Sequence, residues 1–74
     1  MAAITNSEIV ESINRVSTKR NLYRFTLDNG EVHERRSWVP VATDNAADLA
    51  AVGGRLLDEL ARAEIKALLG GSNG

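Results

Sequence analysis

The stretch YRFTLDNGEVHERRSWVP, residues 23–40, decides how this chain folds. Leading into it, LYRFTL (22–27) alternates. Tyr23, Phe25 and Leu27 point to one side, and Leu22, Arg24 and Thr26 to the other, which is the period of a half-buried strand. Asp28-Asn29-Gly30 follows. Asn-Gly between alternating runs is the strongest short-range hairpin signal, because both residues tolerate the positive φ of a type I′ turn. A two-residue loop sets Leu27 opposite Val32, Phe25 opposite Glu34 and Arg24 across from Arg35. Val32 then starts the inward face of the second strand, and Trp38 and Val39 resume it. Glu34 and Arg36 fall on the side of Phe25 and Tyr23. This alternation breaks within Arg35-Arg36-Ser37-Trp38, which predicts a bulge near Ser37. Pro40 has no N–H to donate and ends the pairing.

Upstream, EIVESINRVST (8–18) carries two patterns. Ile9, Ile13 and Val16 share one face of a helix that Asn6 or Ser7 can cap. Ile9, Val10, Ile13, Val16 and Thr18 are β-branched and favour a strand, in which Ile9 and Ile13 share a face and Val16 takes the other. The strand is preferred, because a lone hairpin is marginal in water and a third strand gives a helix a proper sheet to cover. Lys19-Arg20-Asn21 is expected to be a polar turn.

Downstream, VATDNAADLAAVGGRLLDELARAEIKALLGG (41–71) carries one long helix. Asp44 or Asn45 caps its start, Asp48 complements its dipole, and Gly70-Gly71 is a natural stop. Leu49, Val52, Leu56, Leu60, Ala63 and Ala67 form a core stripe, and Asp58 and Arg62 an outer i,i+4 pair. Gly53-Gly54 interrupts the helix at a cost of ~1 kcal/mol each. A kink or a helix start delayed to Arg55 is the favoured explanation, ahead of close approach by another backbone. A second stripe, Leu57, Ala61, Ile65 and Leu68, is rotated by ~100° or more from the first. A small sheet cannot cover both, so this stripe either packs on the N-terminal segment or faces a partner chain, and the partner is the favoured expectation.

Seventy-four residues make one domain, expected over 1–70 with a flexible tail at 71–74. A chain this short hides only about 60% of its unfolded surface and usually needs a staple. It contains no Cys and one His, which excludes disulfides and a His-based zinc site and suits a reducing cytoplasm or a particle assembled there. Oligomerisation or docking on other chains is the remaining route, and a homo-oligomer or multi-copy assembly is expected. No stretch approaches the ~20 apolar residues of a membrane span, and MAAITNSEIVES lacks the pattern of a secretion signal.

Catalytic chemistry finds no foothold. His33 is expected on the outward face of its strand, where a solvated imidazole is the simplest reading. Glu31/Glu34 and Asp58/Glu59 have no deep cleft to shift their titration. The Gly-Gly pairs lack any phosphate-loop context. No enzyme activity, cofactor or metal is expected. Nucleic-acid contact through Arg24, Arg35 and Arg36 is the alternative function. The net charge of −1, with the first 37 residues holding six basic and five acidic side chains, weighs against a phosphate-binding footprint.

RFTLDNGEVHERRSWVPVATDNAADLAAVGGRLLDELARAEI, within residues 24–65, resembles a group of short proteins encoded among the tail and virion genes of tailed bacteriophages and prophages. Those chains combine a strand, an Asp-x-Gly turn, a second strand ending in Val-Pro, an acid-rich link and an Ala/Leu-rich helix. Phe25 to Leu27, Asp28-Asn29-Gly30, Glu31 to Glu34, Val39-Pro40, Asp44 to Ala47 and Leu56 to Ile65 match that order. Gly53-Gly54 and Arg35-Arg36-Ser37-Trp38 depart from it. The resemblance implies a structural virion or tail-assembly protein, multi-copy, docked on other virion or tail proteins and assembled in the bacterial host cytoplasm. Together these readings predict an α+β fold: a two- or three-stranded antiparallel sheet packed against one long C-terminal helix. Trp38, Leu57, Ala61, Ile65 and Leu68 are the expected partner-interface residues.

Overall fold

The computed structural model describes residues 3–71. They form β1 (Ile4–Asn14), β2 (Thr18–Leu27), β3 (Val32–Pro40) and α1 (Asn45–Gly71). The strands make one antiparallel sheet in the order β1-β2-β3, and α1 lies on one face of it. This is the expected α+β architecture, with three strands.

The hairpin turn differs from the two-residue form. Leu27 N–H donates to Glu31 C=O at 2.8 Å, and Gly30 N–H to Leu27 C=O at 3.0 Å. Gly30 alone takes a positive φ, +88°, and no other described residue does. Three residues therefore turn the chain, and Asn29 stays in ordinary space. Its side-chain oxygen accepts the Glu31 N–H at 2.9 Å, an Asx contact that favours this turn over type I′.

That single residue slips the register. Phe25 pairs with His33, Arg24 with Glu34, Tyr23 with Arg35 and Arg20 with Trp38. Because side chains alternate with period two, every β3 residue changes face. His33, Arg35, Ser37 and Val39 point toward the helix side, and Val32, Glu34, Arg36 and Trp38 away from it. The outward His33, the inward Val32 and the facing Arg24 and Arg35 are corrected accordingly. With this register β3 alternates throughout, so no bulge forms at Ser37. Pro40 ends the strand but not the contact, since Val41 N–H still donates to Ser17 C=O at 3.0 Å.

β1 is a strand, displaced toward the N-terminus from the expected 8–18. Its pairing with β2 shifts between Ile4 and Asn6 and between Ile9 and Glu11, leaving Thr5 and Val10 as bulges. The Val10 bulge separates two residues expected to share a face. Ile9 sits opposite Tyr23 and packs on the core, whereas Ile13 sits opposite Arg20 on the other side. The turn falls at residues 15–17, closed by Arg15 N–H donating to Thr18 C=O at 2.7 Å. Lys19, Arg20 and Asn21, expected there, belong to β2. Lys19 and Asn21 are buried, and partners on the helix side hold them in the strand.

Asp44 caps α1: its Oδ2 accepts the Ala47 N–H at 3.0 Å. The helix then runs along β2 in the same direction. Asp48 meets Asn21 and Tyr23, Gly53 meets Phe25, and Leu60 lies near Leu27. Tyr23, Phe25, Leu27, Val52 and Leu56 are the buried apolar residues, with Ile4, Ile9, Leu49 and Leu60 around them. The core stripe stops at Leu60, because Ala63 and Ala67 are exposed. Asp58 and Arg62 form no ion pair. Gly70 and Gly71 continue the helix, and residues 72–74 of the expected tail lie outside the described residues.

The two central glycines differ. A Cβ on Gly53 would sit 3.3 Å from both Ile4 Cδ1 and Phe25 Cε1, whereas one on Gly54 would meet nothing within 4 Å. The helix does not begin at Arg55. Gly53 admits two side chains rather than another backbone, and nothing in the structure explains Gly54. Gly54→Ala is therefore expected to stabilise the fold by about 0.5–1 kcal/mol through helix propensity. Gly53→Leu should destabilise it by about 1–3 kcal/mol by overpacking against Phe25. Urea midpoints of the two variants against the parent chain check both.

Candidate functional site

Three places on the domain combine side chains that could carry a function. The first is buried. The inward face of β2 presents Lys19, Asn21 and Tyr23, and the capped first turn of α1 presents Asp48 to them. Asp48 Oδ2 accepts Asn21 Nδ2–H at 3.0 Å and also the Tyr23 hydroxyl. Ser12 Oγ donates to Asn21 Oδ1 at 2.6 Å, tying β1 in. Lys19 Nζ donates to Thr43 C=O at 2.8 Å and Asn45 Oδ1 at 2.9 Å, holding the β3–α1 link. Burial, reinforced by the Asp48 carboxylate, pushes the Tyr23 hydroxyl up from 10.0 to about 12. Among the described residues no buried side-chain nitrogen or oxygen lacks a hydrogen-bond partner, so the network is closed. Such a network orients the helix on the sheet. Asp48, expected only to complement the helix dipole, is its centre.

The second place is the outer face of the sheet, which no helix covers. Arg24 lies between Glu8, at 3.6 Å, and Glu34, at 3.0 Å, as a row of alternating charge across all three strands. Two rows along, Trp38 is 49% exposed, with the Arg20 guanidinium 5.7 Å and the Arg15 guanidinium 5.8 Å from its ring centroid. Val32 and Arg36 complete the β3 side of this face. Trp38 is thus directed away from the core and does not close it. The slipped register concealed this face: Glu34 and Arg36 were expected on the opposite side.

The third place is the far end of α1. Leu57 and Ala61 are half-buried beside the core, whereas Ile65 and Leu68 are 57% and 76% exposed. A groove of about 410 Å³ runs beneath this end, lined by Leu27, Asn29, Glu31, Leu60, Ala63, Glu64 and Ala67. The expected interface stripe therefore divides into a packed half and an exposed half.

The alternative residues do not come together. Arg24 and Arg36 share the outer face, but Arg35 points to the helix side and pairs with Glu59 at 3.0 Å. A cleft of about 150 Å³ between β3 and α1 includes Arg35 and Arg55, smaller than the ~300 Å³ of a typical ligand pocket. His33 Nε2 lies 3.4 Å from Glu31 Oε1 and contacts no nucleophile. No group of three or more potential metal ligands occurs among the described residues. No described helix is long and apolar enough to cross a membrane. The fold and its surfaces define a small three-stranded α+β domain whose conspicuous features are open faces rather than a cleft. Compared with known protein families, curated proteins and solved structures, the chain matches none.

The Tyr23 contact has a measurable pH signature. A hydroxyl whose folded pKa exceeds its unfolded value contributes stability that is fully present below pH 10 and lost as pH rises toward about 12. Tyr23 is the single tyrosine, so its ultraviolet titration reads that group alone. Phenolate absorbance should appear near pH 12, together with loss of helix signal. Tyr23→Phe should remove the alkaline dependence and cost about 1–2 kcal/mol near neutral pH.

Proposed function

We propose that this chain is a protein–protein docking component that works by burying its open surfaces on neighbouring chains. Its setting is the particle of a tailed bacteriophage, as the resemblance over residues 24–65 implies, with assembly in the host cytoplasm. No step of bond chemistry is required of it. The observation that carries the reading is the exposed end of α1. Ile65 and Leu68 present large apolar side chains beyond the packed half of the helix. Exposed apolar surface of this kind marks interaction sites. The small core supports the same reading. Five buried apolar side chains, each contributing roughly 1.5–3 kcal/mol, leave a domain that gains much from further burial.

Nucleic-acid contact has one favourable observation, the exposed Trp38 between Arg15 and Arg20. Against it, Arg24 is held by two carboxylates and Arg35 by a third. That reading requires affinity for DNA or RNA that falls steeply with salt. Weak binding that does not change with salt is the expected result.

Ile65→Glu and Leu68→Glu test the docking reading directly. Both positions are exposed, so each variant should keep its helix content and shift stability by no more than about 0.5 kcal/mol. Each should lose incorporation into purified particles of the source phage, read by mass spectrometry, and self- or cross-association read by sedimentation. Unfolding of the variants would place the exposed stripe in the core. A chain absent from particles and without partners would sink the reading.

A further inference from the structure

The edge of β3 away from β2 is open. The Leu27–Glu31 hydrogen bond at the turn and the Val41–Ser17 bond at the far end share one parity. They direct the backbone groups of the odd-numbered β3 residues toward β2. In an antiparallel ladder the intervening residues face the other way, so the N–H and C=O groups of Val32, Glu34, Arg36 and Trp38 line the outer edge; the Glu34 C=O there also accepts the Arg35 Nη1–H at 2.8 Å and keeps a second lone pair for a partner's N–H. β3 has no register shift along its length. The opposite edge of the sheet, β1, is interrupted at Thr5 and Val10. Bulges of this kind blunt an edge against pairing, and β3 carries none.

We propose that β3 pairs antiparallel with β3 of a second copy about a two-fold axis at Arg35, joining two sheets into one. The occupant follows from the order of side chains. With the axis at Arg35, Glu34 faces the partner's Arg36 and Arg36 faces the partner's Glu34. Val32 faces the partner's Trp38, and Trp38 the partner's Val32. Opposite charges and an aromatic–β-branched pair are favourable cross-strand neighbours. Val32 and Trp38 are 56% and 49% exposed in the single chain, and this pairing covers both. Arg36, which has no ion-pair partner among the described residues, gains one. The Glu8–Arg24–Glu34 row continues through the partner's Arg36, so the charges alternate across the junction.

Neighbouring registers fail on the same grounds. An axis at Glu34 sets Glu34 against the partner's Glu34, and an axis at Arg36 sets Arg36 against the partner's Arg36. Larger shifts shorten the ladder, and those toward the C-terminal end bring Pro40, which has no N–H, into a bonding position. In the chosen register Arg35 meets its own copy on the helix side, and each Arg35 keeps Glu59 at 3.0 Å to offset its charge. The inference rests on the docking reading above and adds to it a symmetric edge.

Charge reversal tests it. The parent chain should sediment as a dimer. Glu34→Arg places two cationic pairs across the axis and Arg36→Glu two anionic ones, so each variant alone should dimerise more weakly by on the order of tenfold or more. An equimolar mixture of the two variants should recover the parent affinity, because in the mixed dimer every charge at positions 34 and 36 again faces one of opposite sign. The chain has no cysteine, so Arg35→Cys introduces a single one on the axis. Facing residues at a non-hydrogen-bonded position lie about 4.5 Å apart between Cα atoms, within disulfide reach, and mild oxidation should give a linked dimer. A monomeric parent at high micromolar concentration, or single variants that dimerise as well as the parent, would overturn the proposal. A dimer lost with Ile65→Glu but untouched by either reversal would remove the β3 pairing and leave helix docking standing. Reversal-sensitive dimers that never enter a particle and ignore Ile65→Glu would do the opposite.

Discussion

The hydrogen bond from Leu27 N–H to Glu31 C=O, made possible by Gly30 at positive φ, is the constraint on which the rest of the sheet depends. It inserts one more residue into the turn than the Asn-Gly signal alone suggests. A strand has two faces, so one residue of register decides where all of β3 points. Arg35 reaches Glu59 on the helix because of it, and Trp38 joins Arg15 and Arg20 on the open face. Glu34 meets Arg24 for the same reason. An apparently basic hairpin becomes a surface of alternating charge.

The helix is placed by a second device. Asp48 is buried in the first turn of α1 and accepts hydrogen bonds from two residues of β2, while Lys19 secures the link before it. An apolar stripe specifies which side of a helix faces a sheet, but slides along it at little cost. Directional bonds to a buried carboxylate remove that freedom, because a shifted helix would leave Asp48 buried without partners. Gly53 adds a close steric fit, since a Cβ there would sit 3.3 Å from both Phe25 and Ile4. With the N-terminal half of α1 pinned, the other half is carried past the core, and Ile65 and Leu68 are left in solvent. The exposed apolar end is thus a consequence of how the helix is anchored.

Both open features sit on rigid elements. The exposed apolar end belongs to a continuous helix, and the open edge to an unbulged strand held by β2. Surfaces of this kind lose little conformational freedom when they are covered, which favours association from a modest contact area. They also face different directions, so a chain paired through β3 keeps its helix end available.

Local chemistry settled the inventory of this protein. The alternation of residues 22–27, the Asp44 cap and the long Ala/Leu-rich run specify a hairpin and a helix, and the β-branched content of residues 8–18 favours a third strand over a helix, because each signal acts over a few residues. The same is true of the missing cysteines and the exposed Ile65 and Leu68 on a stripe no small sheet could cover. What depended on contacts distant in sequence was not visible there. The turn form was set by a local Asx contact between Asn29 and Glu31, but the face it gives β3 is fixed by the half-burial of His33, Arg35, Ser37 and Val39 on the helix side. The bulges at Thr5 and Val10 arose from fitting β1 to β2. Lys19 and Asn21, polar residues that belong in a turn by local preference, stay in a strand because Asn45 and Asp48 approach from more than 20 residues away. Residue types and their spacing determine which elements form; hydrogen bonds between elements determine which face each side chain takes, and the candidate surfaces of this chain are a matter of faces.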